Sequence, residues 1–545
     1  MQKKQLLLLS VISGLLLSLP WLVSGLSWTL FFAFCPLLFA EDQIAKQKDE
    51  RISQLFLPAF FTFLIWNLLS TWWIAHVSLA GMLLINILNS LLMASVWWLR
   101  HLVGRRFGHA SSSFSLIVFW IAFEFLYHNW TLPWPWLSLG NGFASSVEII
   151  QWYEYTGVLG GSLWVLLTNL LIYSSVKNCL IRVSLPETLK RAGFAILAVL
   201  LPIVGSWYLY MTYSEKGNSV EVVILQPNID PYTEKFSGNS DEQIRKILSL
   251  AESKITNSTD LVVAPETSWP DLWEDSLFTQ KHSLLPLREY IQRLPKVSML
   301  VGAITQRKFG SGEAISETAQ KSADREFYFD VYNSALMIDG NANVQISHKS
   351  ILVNGVERMP FQKYFSFLGE YLLDLGGTNR SMAAATEPAL LSGKGSLKVG
   401  SVICFESVFG EYCSQLVGRG ANLLVVITND GWWRQSPGSW QHFGYSRLRA
   451  VEARRTIVQS ANTGISGFIN QRGEVIRKTG LNSYEAIQSS VQMNNENTIY
   501  VSYGDFIGKI SLVFSGLIVF YLLMYRRFTR GKKIRINSIV KIPDK

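Results

Sequence analysis

The chain has 545 residues, of which 49% are hydrophobic and only 16% are charged. Soluble domains carry about 25% charged residues, so this composition excludes a chain built only of soluble domains. The net charge of +9 arises in the termini and in short loops between apolar segments, which argues for attraction to a lipid surface and against nucleic-acid binding.

Apolar segments long enough to cross a membrane fill the first part of the chain. Residues 5–40 and 54–99 contain no Asp, Glu, Lys or Arg. A spanning helix needs about 20 apolar residues, so each block is expected to hold two helices, separated near Pro20–Gly25 and near His76–Gly81. Four single spans are predicted at 112–130, 157–176, 192–213 and 506–525. The sequence therefore predicts eight spans, about seven of them within residues 1–213.

Basic residues predict how these spans are oriented. The loops and termini expected on one side hold 20 Lys and Arg residues, whereas the short loops on the other side, 20–25, 76–81 and 131–156, hold none. Basic loops remain in the cytoplasm. Both termini are therefore predicted to be cytoplasmic, including a basic tail over 526–545, and residues 217–500 are predicted to form an outer, periplasmic domain.

Within the outer domain, short strand-like runs alternate with helical stretches. One helical stretch is predicted to begin at Ser240, which would be its N-cap. A second helical stretch is predicted over residues 440–455. Residues 309–327 are polar and predict a flexible excursion. The alternation indicates an α/β sandwich. The predicted strands are 220–228, 260–266, 298–305, 332–339, 398–406, 422–430 and 456–470.

Three reactive side chains lie at or beside the ends of these strand-like runs: Glu266, Lys349 and Cys404. Sites in α/β folds gather at strand ends. A thiol can attack an acyl group, a carboxylate can take and return the proton, and an ammonium can stabilise the oxyanion that develops. Cys404 alone would more often be a buried, inert cysteine; it is the set of three that predicts covalent acyl transfer.

Several motifs carry a resemblance to a known family. The outer domain resembles the carbon–nitrogen hydrolase (nitrilase) superfamily through VVAPETSWP, YNSALMID, HKSILVNGVERMPF, SVICFES and TNDGWW. Together with the apparent spans and the string LPWPWLSLGN in the membrane part, the whole chain is similar to the bacterial apolipoprotein N-acyltransferases. The resemblance implies a polytopic helical membrane domain with a nitrilase-like α-β-β-α sandwich.

The resemblance also implies an activity. Cys404 would take a fatty acyl chain from a phospholipid as a thioester and pass it to the N-terminal amine of a diacylglyceryl-modified apolipoprotein, at the inner membrane of a bacterium. Glu266 would be the base and acid, and Lys349 the oxyanion stabiliser. No cofactor or metal is implied. By position in the matching motifs, the resemblance adds Glu357, Glu406, Phe405 and Asn333 as supporting or substrate-binding residues.

Two departures from the family pattern touch loops rather than the reactive set. Asn354-Gly355-Val356 replaces a Pro-Phe-Gly that often precedes the second glutamate, and Phe405 stands where Tyr is common. Glu406 is equally consistent with a structural acceptor. Water must be excluded from a thioester, and Trp269 and Trp432 are candidates for an aromatic mouth, although hydrophobic packing explains such residues as well.

Two other functions remain open from the sequence. A membrane-tethered amidase that hydrolyses small amides would use the same Glu–Lys–Cys set, but it would not need eight spans. The other possibility is a transporter or an assembly protein whose outer domain only binds a partner. The apolar spans carry very few charged groups, which argues against a path for ions or polar solutes.

Overall fold

A computed structural model describes residues 3–45, 52–181, 183–235, 240–275, 285–324, 326–339, 341, 343–358 and 381–539. The chain folds into a bundle of long apolar helices and an α/β domain inserted before the last of them. In this part of the chain, seven helices are long and apolar enough to span a membrane. Six of them are α1 and α3–α7, and the seventh is the last helix of the chain. The first seven helices of the chain are α1 Lys3–Leu22, α2 Cys35–Ala45, α3 Ile52–Thr71, α4 Leu79–Phe107, α5 His109–His128, α6 Tyr153–Leu180 and α7 Leu185–Thr212.

The sequence predicts eight spans, and seven helices of the described residues are long enough to be one; the second helix expected within 5–40 is interrupted. Residues 26–40 form a short 3₁₀ helix, Ser27–Phe31, followed by a break and then by α2. Asn169 of α6 fills the break: its Nδ2 donates to the Leu30 carbonyl at 2.6 Å, and its Oδ1 accepts from the Phe34 N–H at 2.8 Å. Because lipid offers no partner to a free backbone group, such a break requires a polar side chain from a neighbouring helix.

The α/β domain contains two sheets packed face to face. The eight-stranded sheet has the order β14-β1-β2-β4-β6-β5, with β3 and β7 at its side, and the six-stranded sheet has the order β13-β12-β11-β10-β9-β8. Strand bounds are β1 Asn218–Gln226, β2 Leu261–Val263, β3 Trp269–Trp273, β4 Ser298–Lys308, β5 Gln320–Lys321, β6 Tyr328–Ile338, β7 Val344–His348, β8 Leu390–Ser392, β9 Lys398–Ile403, β10 Leu423–Thr428, β11 Ile457–Ala461, β12 Gly467–Ile469, β13 Val475–Lys478 and β14 Glu485–Met493.

A helix layer covers each sheet and completes the predicted α-β-β-α sandwich. The first layer contains α8 Ser240–Glu252 and α9 Leu285–Gln292, and the second contains α10 Gly410–Gly418, α11 Pro437–Ala453 and α12 Ile499–Tyr503. One expected strand is divided: residues 456–470 form β11 and β12, which pair antiparallel around a turn. The last helix, α13 Phe506–Ile539, extends well past the predicted span 506–525.

The second helix layer joins the α/β domain to the bundle. One continuous core of buried apolar side chains runs from Leu17 and Trp21 of α1, through Trp136, to Phe405 and to Leu448 of α11. Residues 131–152, between α5 and α6, form short 3₁₀ turns that are mostly buried at this junction. The catalytic candidates therefore lie in a domain that is packed firmly against the membrane bundle.

Candidate active site

The fold brings the three reactive side chains together. Glu266 follows β2, Lys349 follows β7 directly, and Cys404 follows β9 directly. Lys349 Nζ lies 3.4 Å from Glu266 Oε1. The charges of Glu266 and Lys349 both act on the Cys404 thiol. Three residues that lie far apart in the sequence, Glu266 and Lys349 being 83 positions apart, thus share one site at the strand ends.

Two residues that were predicted to support the site, Glu357 and Asn333, lie around Lys349 and Glu266. Glu357 Oε1 accepts from Lys349 Nζ at 2.8 Å, and Asn333 Nδ2 donates to Glu357 Oε1 at 2.9 Å and to Glu266 Oε1 at 2.7 Å. The second oxygen of Glu357 accepts from the Val353 N–H at 2.8 Å. Lys349 is only 1% exposed, so its ammonium is fixed between two carboxylates.

Electrostatics at the site oppose a free thiolate and favour a charged lysine. Burial raises the pKa of the Cys404 thiol well above its usual range, Glu266 raises it further, and Lys349 opposes them. Burial alone would lower the pKa of Lys349, but Glu357 and Glu266 outweigh it, so the net pKa is raised. Proton transfer from the thiol to a neighbouring base is therefore required before attack.

Glu406 lies behind the site and is fully buried. Its Oε1 accepts from the Ser350 and Ile351 N–H groups at 2.6 and 3.2 Å, and its Oε2 accepts from the Ile403 N–H at 2.8 Å. These three bonds tie the backbone after Lys349 to the backbone before Cys404. Burial raises the pKa of Glu406 to about 7. This arrangement favours a structural role for Glu406, as an acceptor that holds the backbone.

Cys404 occupies a tight turn between β9 and the 3₁₀ helix Cys404–Val408. Its φ is +53°, a left-handed conformation that a residue with a side chain rarely adopts. Ser407 Oγ donates to the Cys404 carbonyl at 2.9 Å. His442 Nε2 also lies 3.1 Å from that carbonyl, and His442 Nδ1 lies 3.0 Å from Asp430 Oδ1.

The predicted aromatic residues divide between the site and the core. Phe405 stacks on Trp134 of the membrane bundle, with 5.9 Å between ring centroids. Trp432 is half-buried and meets the edge of Tyr232 at 5.2 Å. Trp269 instead packs with Leu272 in the core between the eight-stranded sheet and its helices, so the structure does not bring it into the cluster around Lys349.

Sequence reasoning missed one cation and one buried pair. Lys235 Nζ donates to the Glu266 carbonyl at 3.1 Å, and burial lowers its pKa to about 8. Asp430 and His442 lie beneath Cys404. Neither has a distinctive spacing; the only signal is that Asp430 comes two residues after the buried strand β10. Among the described residues, no group of three His, Cys, Asp or Glu is arranged to hold a metal ion.

Comparisons with known families agree with this architecture. The model of the apolipoprotein N-acyltransferase N-terminal domain matches residues 13–171, and that of the carbon–nitrogen hydrolases matches residues 222–499. The chain belongs to the carbon–nitrogen hydrolase family, as a member of its apolipoprotein N-acyltransferases. The two matched regions correspond to the helical bundle and to the sandwich.

Relatives within the apolipoprotein N-acyltransferases match over nearly their full length. The enzyme of that name from Chlorobaculum tepidum is 26% identical over 95% of this chain and 97% of its own. The one from Geobacter metallireducens is 27% identical over 91% of each chain.

Among solved structures, a carbon–nitrogen hydrolase superfamily protein from Xanthomonas campestris covers 54% of this chain and 97% of its own, with 14% identity and a TM-score of 0.34. An amidase from a Nesterenkonia species covers 53% and 94%, with 15% identity and a TM-score of 0.35.

Proposed function

We propose that this protein transfers a fatty acyl chain from a phospholipid to the N-terminal amine of diacylglyceryl-cysteine apolipoproteins, through a thioester on Cys404. In the first half-reaction, Glu266 takes the thiol proton and Sγ attacks the carbonyl carbon of the phospholipid ester. The C–O bond then breaks, and the released alkoxide of the lysophospholipid takes the proton from Glu266. Lys349 stabilises the intermediate oxyanion.

The second half-reaction returns the thiol. The free α-amino group of the apolipoprotein attacks the thioester carbon, the new C–N bond forms, and the C–S bond breaks. Glu266 takes the proton lost by the amine and returns it to the sulfur. No described residue donates a hydrogen bond to Glu266 Oε2 (its Oε1 is used by Asn333 and Lys349), so that oxygen is available for these transfers.

One observation carries the proposal: the turn that bears Cys404 touches the membrane bundle. The ring of Phe405, the next residue, stacks on Trp134, which also stacks on Trp136 at 5.5 Å. A site placed at this junction suits a donor whose ester lies at the surface of a bilayer. The aromatic rings at this junction also form an apolar wall of the site. Because this wall disfavours water, it disfavours hydrolysis of the thioester.

The proposed topology follows from the charge pattern. The polar contacts of α2 near its C-terminal end join Glu41 to Arg100 and Asp42 to Lys177, at the basic end of the bundle. The chain between Ser27 and Ala45 thus passes from the α/β domain to that end, in spite of its break. With this interrupted segment counted as one crossing beside the seven long helices, the proposed topology has eight crossings, cytoplasmic termini and a periplasmic α/β domain in an inner membrane.

A transfer assay tests the proposal. The purified protein is mixed with phospholipid in detergent and with a synthetic diacylglyceryl-cysteine peptide that has a free α-amino group, and the acyl mass gained by the peptide is measured. Cys404→Ala is expected to lower the transfer rate by roughly 10³-fold or more. Cys413→Ala, at a buried cysteine of α10, should leave it close to that of the unaltered protein.

The same assay separates the proposal from its alternatives. An acceptor with an acetylated α-amino group should gain no acyl chain. Transfer retained by Cys404→Ala would refute the thioester. Hydrolysis of small amides without lipid, together with no transfer by the unaltered protein, would instead favour an amidase.

A further inference from the structure

Directly beneath the nucleophile turn lies a buried charged pair that the proposed mechanism does not use. His442 and Asp430 have fully buried side chains, and their Nδ1 and Oδ1 atoms are 3.0 Å apart. Thr428 Oγ1 donates to the same oxygen of Asp430 at 2.7 Å. On the other side of the ring, His442 Nε2 lies 3.1 Å from the Cys404 carbonyl and 2.8 Å from Ser407 Oγ.

The partners of the ring define its protonation. Asp430 offers a carboxylate to Nδ1, so that nitrogen carries a proton. Ser407 donates its hydroxyl proton to the Cys404 carbonyl, so the partners left for Nε2 are a carbonyl oxygen and a hydroxyl lone pair. Both are acceptors, which places a proton on Nε2 as well. Burial alone would lower the pKa of His442, but Asp430 outweighs it and the net pKa is raised.

The position of the Cys404 carbonyl fixes the next amide. In a trans peptide, the carbonyl oxygen and the following N–H point in opposite directions, and the chain contains no cis peptide among the described residues. Since His442 and Ser407 hold the Cys404 oxygen on the buried side, the Phe405 N–H points to the opposite side. An N–H in that direction is oriented to meet an oxyanion on the acyl carbon attached to Cys404.

We propose that the His442–Asp430 pair is a positioning pair, which holds the Cys404–Phe405 peptide so that the Phe405 N–H acts beside Lys349 in the oxyanion site. This inference rests on the proposed acyl transfer. The ring of His442 is itself fixed, because Trp136 of the membrane bundle stacks on it at 6.1 Å and Trp433 meets its edge at 5.5 Å. The bundle thereby helps to hold the peptide.

Two rate measurements on the intact protein test this role. Alkylation of Cys404 by iodoacetamide, followed on its own peptide by mass spectrometry, needs the thiolate but forms no oxyanion. Acyl transfer to the diacylglyceryl peptide needs the thiolate and also passes through an oxyanion. His442→Asn keeps a donor near the Nδ1 position only and loses the bond to the Cys404 carbonyl. It should lower transfer by about 10²–10³-fold while changing the alkylation rate by less than about tenfold.

His442→Gln places an amide N–H near the Nε2 position and serves as the matched control. It should recover transfer to within about tenfold of the unaltered protein, because it restores a donor to the carbonyl. Equal losses of transfer and alkylation in His442→Asn would overturn the proposal, since they indicate a general structural failure. Equal transfer rates for the Asn and Gln variants would overturn it too. Failure of the proposed function is separate: the unaltered protein would then transfer nothing.

Discussion

Glycine at position 302 allows the loop that carries Glu266 to lie against strand β4. A Cβ at this position would come within 2.6 Å of the Glu266 Cα and 2.5 Å of the Pro265 carbonyl oxygen. The Gly302 N–H donates to that same carbonyl at 3.2 Å. Since the crowded atoms belong to the backbone, a side chain here must displace Glu266 itself.

Gly302→Ala is therefore expected to lower acyl transfer by about 10²-fold, the usual effect of a catalytic group displaced by about 1 Å. The transfer assay measures this directly. Gly310→Ala provides the control, because its Cβ would meet nothing closer than 3.8 Å. Equal rates in the two variants would show that the position of Glu266 does not limit transfer.

The buried carboxyl of Glu406 predicts a pH dependence of stability. Burial raises its pKa from 4.5 to about 7. The folded protein therefore binds more protons at this group than the unfolded chain between these values, and stability falls as the pH rises through that window. The decline is expected to reach about 3 kcal/mol at most.

Melting temperatures from pH 4.5 to 7.5 test this for the unaltered protein and for Glu406→Gln, which cannot ionise. The difference between the two should move steadily in favour of the Gln variant with rising pH. A difference that stays constant across the range would mean that Glu406 keeps its ordinary pKa.

Among the secondary-structure elements, the interrupted segment between α1 and α3 makes two backbone hydrogen bonds with one side chain, that of Asn169. Replacement of Asn169 by Leu leaves the buried Phe34 N–H without its acceptor. The expected loss of stability is about 1–3 kcal/mol, measured as a lower melting temperature in detergent. Thr168→Val is the control, because the Thr168 hydroxyl bonds only to carbonyls of its own helix. Similar losses in both variants would contradict the role assigned to Asn169.

This element also shows what the sequence reveals and what it conceals. Hydropathy locates apolar segments. It does not show that the side chain of Asn169, far along the chain, bonds to the backbone N–H of Phe34 and the carbonyl of Leu30 at a helix break. Strand positions such as 298–305 and 422–430 were predictable, because buried strands are apolar runs bounded by polar residues. The turn between β11 and β12 was not, since the run 456–470 continues through it.

The same distinction applies to the site. Glu266, Lys349 and Cys404 were predicted to act together because their chemistry is complementary and each lies near a strand end. Glu357 bonds to Lys349, and Asn333 bonds to Glu357 and Glu266, so both residues lie beside the reactive set; their supporting role remains a prediction. Trp269 was expected at the mouth on its residue type alone; its burial among aliphatic side chains depends on tertiary packing that the pattern does not encode. The His442–Asp430 pair also required the fold.

For the whole molecule, Gln441 of α11 joins the α/β domain to three parts of the bundle. Its Oε1 accepts from Trp73 Nε1 at 3.2 Å and Trp136 Nε1 at 2.8 Å. Its Nε2 donates to the carbonyls of Trp21 at 2.8 Å and Ser70 at 3.2 Å. The side-chain amide thus uses both of its donors and both acceptor positions across the junction.

Gln441→Met keeps the length of the side chain and removes these bonds. Each polar group left buried without a partner costs about 1–3 kcal/mol, so the melting temperature should fall and transfer from phospholipid should weaken. Gln415→Met, at an exposed position of α10, should change neither. An unchanged melting temperature in Gln441→Met would show that apolar packing alone maintains the junction.

Whether Cys404 carries the acyl chain is decided by the mass of the intact protein. After incubation with phospholipid and no acceptor, the unaltered protein and Cys413→Ala should each gain the mass of one fatty acyl group. Neutral hydroxylamine should remove that group, and Cys404→Ala should never acquire it. An unaltered protein that remains folded and transfers acyl chains but shows no adduct would rule out a thioester on Cys404, and so would an adduct that persists in Cys404→Ala.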